Sequence, residues 1–367
     1  MFTKTTQTQR KIVAAVAIIA GLYLMIIAPT QAMYTLKLAL RSVMERLIPL
    51  DPDFYTAVPI LGVTFGIWIL LFTFGGALLV VLAYKLYKGS LKARAVALGV
   101  SAIASVAGMT MFIPWMVLIV SDYSDGPVPG IKPPPADVTL APPVLWIMVV
   151  GLISYFVFLL MDKDSLKNKI YKTIIYTGIG VVAGMVFMNA QHGVRYFEFI
   201  PEYLNNTENL QRYDNPLGNP YTNLDYYDAL ALTTVSQAQM KTIKADEKVA
   251  IVHKDKTVED IVVKKSVPTY NPNTISLFLG GYGNYLASYI MVFMIPFVFL
   301  RKKWAYNTLL MATLFSAVAT YWNALVRGSF EWVIGGTLSL GLLIFFLLPI
   351  FKQFLVEDED EVEEAAE

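Results

Sequence analysis

The sequence predicts an all-α membrane protein: a polytopic bundle of about eight transmembrane helices carrying one extracytoplasmic α+β insertion. Three observations lead there. First, 56% of the 367 residues are hydrophobic and only 16% are charged, with a mean hydropathy of +0.54. A soluble domain is about 45–50% apolar and about 25% charged. Second, the apolar residues gather into runs of roughly 18 or more, long enough to cross a bilayer core of about 30 Å. Third, one long polar stretch, 191–283, separates two apolar regions.

Lys4, Arg10 and Lys11 precede the apolar run Ile12 to Ala28, and Thr30-Gln31-Ala32 follows it. That is the outline of a cleavable signal; we read it as the first transmembrane helix. The spans fall at about 12–29, 57–84, 95–121, 143–161, 172–190, 284–300, 306–326 and 332–355. The chain thus divides into 1–190 with five helices, the insertion 191–283, three helices over 284–355, and an acidic tail over 356–367.

Basic residues in short loops set the orientation. Lys4, Arg10 and Lys11, then Lys85, Lys88, Lys92 and Arg94, then Lys163, Lys167, Lys169 and Lys172, then Arg301, Lys302 and Lys303 all fall on one side. The other side holds only Lys132 and Arg327 in its later short loops. Both termini are therefore expected in the cytoplasm and 191–283 outside, in a cell or inner membrane. Lys37, Arg41 and Arg46 run against the rule. Met33, Leu36, Leu40, Val43, Met44, Leu47 and Ile48 keep helical spacing, so 33–49 reads as an amphipathic helix in the outer interface, or else as an extension of the first span. Pro49 and Asp51-Pro52 end it.

Proline shapes the rest. The loop Asp125-Gly126-Pro127-Val128-Pro129-Gly130 with Pro133 to Pro135 is a stiff extended crossover. Pro114 and Pro296 lie within apolar spans and are expected to kink them. In the insertion, Asn215-Pro216-Leu217-Gly218-Asn219-Pro220 is a run of turn signals. Asn223 caps an expected helix over 224–241, and Val249 to Val252 with Val258 to Val263 read as a hairpin. A hairpin alone is marginal, so it packs on the helix or on another protein. The insertion holds nine Lys and Arg against eleven Asp and Glu, a balance that argues against nucleic acid. The tail Glu357 to Glu367 carries eight acidic residues and no basic one. It reads as a solvated tail, with a basic partner as the alternative.

The chemistry of the spans is chiefly neutral. No expected span carries an ionisable residue in its middle, where proton relays and ion paths keep them. Cysteine is absent, which removes disulfides, thiolate metal sites and thiol nucleophiles. The two histidines, His192 and His253, are both expected outside the hydrocarbon, so no membrane-embedded haem, copper or iron–sulfur ligation is expected. A bound lipid or quinone leaves no motif. His192 stands beside Asn189, Gln191 and Arg195 and reads as a polar helix end, or else as an interfacial ligand or quinone contact.

Gly281-Tyr282-Gly283 has the glycine–tyrosine–glycine order of a potassium filter, but Leu279-Gly280 precede it and a turn is the simpler reading. Gly180 and Gly184, and Ser101, Ser105 and Gly108, are small-residue faces for helix packing within the bundle, or else for a subunit contact. Trp322, Asn323 and Thr320, with Ser316, give the seventh span a polar face that glues helices or lines a pore. Asn205-Asn206-Thr207 is an N-glycosylation acceptor pattern. Asp51 and Asp53, with His192, are the candidate catalytic residues of an enzyme acting on a lipid-linked substrate at the outer face.

Three functions follow as expectations. The first is a non-catalytic subunit, an anchor or scaffold in a respiratory or secretion-type membrane complex, with other subunits as partners. The second is a transporter or channel for a neutral or hydrophobic solute. The third is the lipid-substrate enzyme.

Overall fold

The computed structural model describes residues 5–44, 57–115, 142–193, 197–203, 247–252, 258–270, 278–327 and 330–356. Its helices are α1 (Gln7–Ser42), α2 (Ala57–Tyr87), α3 (Leu91–Pro114), α4 (Val144–Leu160) and α5 (Leu166–Gly193). After the insertion come α6 (Phe278–Phe299), α7 (Lys303–Arg327), α8 (Phe330–Leu347) and α9 (Pro349–Leu355). Six of them, α1, α2, α3, α5, α6 and α7, are long and apolar enough to cross a membrane, as an integral membrane protein requires.

The expected eighth span, 332–355, is broken. α8 and α9 are bent by 75° at Leu348 and qualify as a seventh crossing only as a pair. Pro349 explains the break: it lacks the N–H that would continue the ladder and instead opens α9. α4 is apolar but has only 17 residues, about 25 Å of helix and just short of the bilayer core. Among the described residues the structure thus supports six or seven crossings where eight are expected.

α1 begins at a capping box, with Gln9 N donating to Thr6 Oγ1 and Thr6 N to Gln9 Oε1. It then stays helical to Ser42 through a π-helical turn, Tyr23–Ile27. That turn precedes Pro29, whose missing N–H breaks the ordinary bonding pattern there. The interfacial helix expected near 33–49 is, over 33–42, the continuation of α1, with Ala32, Thr35, Leu36 and Ala39 buried. Residues 45–49 lie outside the described residues. Pro114 closes the described part of α3 instead of kinking its interior, while α6 runs on through Pro296 to Phe299.

Lipid gives apolar helices no hydrophobic reason to associate, so close packing holds them. α1 crosses α2 where Gly21 meets Gly76: a Cβ on Gly76 would lie 2.5 Å from the Gly21 carbonyl. α3 crosses α4 where Gly151 lies against Ser101 and Ser105, and Gly108 against Met148. α3 meets α6 at Gly99, whose Cβ would lie 2.4 Å from Pro296 Cα. α6 thereby packs on α3, α5 and α7. Trp68, Trp115, Tyr155, Phe187 and Trp332 fill the core, while residues such as Phe74 (71% exposed) and Leu325 (80%) form the apolar exterior.

At the lysine-rich end, Arg94 is buried and pairs with Asp162 at 3.1 Å. Asp164 receives Lys172 Nζ at 2.8 Å. Burial acts to raise the Asp164 carboxyl, but Lys172, Asn168 and the Ser165 N–H donate to it and hold it below its ordinary value.

In the insertion, three strands form one antiparallel sheet in the order β1 (Phe197–Tyr203), β3 (Val258–Tyr270), β2 (Glu247–Val252). β2 pairs with β3 from Glu247 opposite Val263 to Val252 opposite Val258. β1 pairs with β3 from Phe197 opposite Tyr270, and its register shifts between Glu202 and Tyr203. The helix expected over 224–241, the proline-rich loop and the acidic tail lie outside the described residues.

A candidate polar site within the helix bundle

The apolar bundle encloses a seam of neutral polar residues where α5 and α7 end and α6 and α8 begin. Asn189 of α5, Asn284 and Ser288 of α6, Ser316, Thr320 and Asn323 of α7, and Ser339 of α8 are all buried with no exposed surface. Ser316, Thr320 and Asn323 follow each other at helical spacing, so one face of α7 carries them inward.

Local sequence builds the seam. α6 opens with a π-helical turn, Phe278–Gly283. Gly280 gives this turn no side chain, so Asn323 of α7 approaches its backbone. A Cβ on Gly280 would lie 1.6 Å from Asn323 Nδ2. Gly335 does the same on α8, its Cβ position lying 1.9 Å from Asn189 Nδ2 and 3.0 Å from Thr320 Cγ2. The expected turn at Gly281-Tyr282-Gly283 is therefore a helical turn that leads into α6.

Two kinds of polar residue sit here. Some are structural. Asn284 Nδ2 donates to the Gly280 carbonyl at 2.9 Å and to Thr320 Oγ1 at 3.3 Å. Thr320 donates to the Ser316 carbonyl, Ser316 and Ser339 share a hydrogen bond at 3.1 Å, and Ser288 donates to the Ala183 carbonyl of α5. These bonds tie α5, α6, α7 and α8 together.

The others have no partner. Both polar atoms of Asn189 and both of Asn323 lack a hydrogen bond, as does Asn284 Oδ1. Exchanging oxygen and nitrogen in either free carboxamide leaves the same inventory, one acceptor group and one two-proton donor. A buried polar group without a partner costs about 1–3 kcal/mol. Asn189 and Asn323 therefore make no side-chain hydrogen bond to a neighbouring helix, unlike Asn284.

Beside the seam, on another face of α6, Tyr285 and Tyr289 pack with Trp68 and Phe187; Trp68 and Tyr289 ring centroids are 4.6 Å apart. Tyr289 donates to the Thr64 carbonyl at 2.8 Å. Tyr285 Oη and Trp68 Nε1 lack hydrogen bonds.

Of the polar face expected on α7, Thr320 and Asn323 belong to the seam. Trp322 is 45% exposed on the apolar exterior. Gly180 faces Val106 and Gly184 faces Thr110, both on α3. Ser101, Ser105 and Gly108 meet α4, and Ser105 also shares a hydrogen bond with Tyr176 of α5. These small residues make contacts within the bundle. Asp51, Asp53, His253 and Asn205 lie outside the described residues. The backbone of His192 belongs to the last turn of α5, but its side chain is outside them too. Among the described residues no three His, Asp or Glu side chains group to hold a metal ion.

Sequence reasoning passed over Asn189 as a flank of His192 and did not single out Asn284, Gly280 or Gly335. A signal was present: asparagine within three apolar spans, each near the same end of the bundle. No protein-family model, curated protein or solved structure matches the chain.

Proposed function

We propose that this chain is an integral membrane facilitator for an uncharged solute, which it binds between α5, α6, α7 and α8. The observation that carries this reading is the pair of fully buried, unpartnered carboxamides of Asn189 and Asn323. Neutral polar atoms held inside apolar helices and left without partners suit a ligand that has shed its own water. With the termini in the cytoplasm, as the basic loops suggest, the seam lies in the outer half of the bilayer. The insertion 191–283, read as an α+β unit, then lies on the outer side, because it joins the outer ends of α5 and α6.

The test is flux. The full chain alone in liposomes is expected to speed entry of glycerol or urea, measured by stopped-flow light scattering, and Asn323→Leu is expected to remove the increase. Rates equal to those of protein-free liposomes would overturn the reading.

A second reading is a non-catalytic subunit of a larger membrane assembly, and the sheet is what favours it. With β3 central, the outer edges of β1 and β2 have no strand partner among the described residues. Open edges accept a strand from another protein. Mild extraction and mass spectrometry of co-migrating chains test it, and a chain that migrates alone removes it.

A further inference from the structure

We propose that Asn189 and Asn323, with Asn284 and Thr320 between them, form a binding site for an uncharged group that carries both a hydrogen-bond donor and an acceptor: a primary amide or a hydroxyl. This deepens the facilitator reading and rests on it only for the movement of the ligand, not for its binding.

The unused hydrogen-bonding capacity selects the class. Each free carboxamide offers an oxygen with two lone pairs and a nitrogen with two protons. Asn284 adds one free oxygen, since its Nδ2 already donates to Gly280 and Thr320. A carboxylate or phosphate accepts only, so it would leave three carboxamide oxygens unanswered and face them with negative charge. An ammonium or metal ion would answer the oxygens and face two carboxamide N–H₂ groups. Either ion would also lose its water without a countercharge, which is the costliest burial there is. Among the described residues the only buried charged side chain is Arg94, at the opposite end of the bundle and already paired with Asp162. An apolar ligand would leave every free polar atom as it is. An amide or hydroxyl both donates and accepts, and carries no charge.

Shape adds to this. The walls facing the two free carboxamides are glycine backbone, Gly280 against Asn323 and Gly335 against Asn189. Each carboxamide packs directly on backbone there, so the group bound is small. Asn284 and Thr320 are positioning residues. Their mutual hydrogen bond joins α6 to α7 within the seam.

Saturation-transfer NMR on the purified full chain in detergent tests this, with acetamide and ethanol as probes and acetate and ethylammonium as charged counterparts. Protein-free micelles supply the blank. We expect transfer to acetamide and ethanol at least tenfold above that to the ions. Asn189→Leu and Asn323→Leu are expected to abolish it while unfolding at the same temperature as the unchanged protein or above it, because each removes polar atoms that have no partner. Should the leucine variants fail to fold, Asn323→Ala removes the carboxamide without adding bulk against Gly280, and it too is expected to abolish transfer. Equal transfer to acetate, or acetamide transfer that survives in these variants, would overturn the proposal. So would absence of transfer to every probe, which would mean that the carboxamides hold water only. Acetamide binding without solute flux leaves this inference standing and removes the facilitator reading. Glycerol flux without discrimination between acetamide and acetate does the reverse.

Discussion

Gly335 of α8 lies against the Asn189 carboxamide of α5 so closely that a Cβ there would sit 1.9 Å from Nδ2. Two effects compete in Gly335→Ala. Helix propensity favours alanine by about 1 kcal/mol. Overpacking a close helix contact costs about 1–3 kcal/mol, and here Thr320 Cγ2, 3.0 Å away, limits the room to yield. We expect a net loss, seen as a lower unfolding temperature in detergent. Gly341, on the same helix, has nothing within 4 Å of its Cβ position. Gly341→Ala should therefore match or exceed the unchanged protein. Equal behaviour of the two variants would show that the Asn189 side chain moves aside freely.

Arg94 is 4% exposed, and its Nη1 donates both to Asp162 at 3.1 Å and to the Met161 carbonyl at 3.2 Å. A buried pair adds little over an apolar pair, but breaking it leaves a charge without its partner. Asp162→Asn should thus destabilise by about 3 kcal/mol. Arg94→Met combined with Asp162→Asn should recover more than half of that. A double-mutant cycle by denaturant unfolding reads the coupling; additive losses would mean that the pair is solvated and does not clamp α3 to the α4–α5 turn.

The membrane class was legible because a bilayer imposes length and apolarity on each helix, and both are written along the chain. The number of crossings was less so. Leu348-Pro349 breaks the last span, and whether a proline kinks or breaks a helix depends on what can satisfy the freed carbonyls, which is a matter of packing. The course of α1 past Pro29 was hidden for the same reason, since a π-helical turn leaves no periodic mark. At the candidate site, Thr320 and Asn323 were visible as a polar face of one helix. Asn189 and Asn284 join them only through the folding of four helices. The glycines that admit them, Gly280 and Gly335, matter for what lies opposite, which no local pattern records.

Arg301 is the one non-glycine residue with positive φ among the described residues, at 57°. It ends α6 in a Schellman arrangement, its N–H donating to the Val298 carbonyl and that of Lys302 to Phe297. Glycine would relieve about 1 kcal/mol of backbone strain there. Yet the Arg301 guanidinium also donates to the carbonyls of Gln353 and Val356, at 3.0 and 2.9 Å, and so holds the end of α9. Two charge-assisted bonds outweigh the strain even when partly exposed. We expect Arg301→Gly to unfold at a slightly lower temperature and to be cleaved faster at α9 in limited proteolysis. Unchanged cleavage would show that α9 is held by Phe351 and Leu355 packing alone.

Asp164 links acidity to the α4–α5 turn. Its carboxyl is held below the ordinary value of 3.8 because the donors from Lys172, Asn168 and Ser165 outweigh the burial that opposes them. A carboxyl with a lowered folded-state value binds protons more weakly in the folded chain than in the unfolded one. Its contribution is therefore complete at neutral pH. It is lost as pH falls from about 4 through the lowered folded-state value. The side chain is 23% exposed, so solvent screens part of the Lys172 interaction and the effect is modest. Other carboxylates titrate in the same window, so the informative quantity is the difference between proteins. Unfolding temperature measured from pH 7 down to pH 3 should fall less steeply for Asp164→Asn than for the unchanged chain. Lys172→Met should lower stability at pH 7 and converge with the unchanged chain in acid. Parallel curves for all three proteins would mean that the Lys172–Asp164 contact does not bias folding.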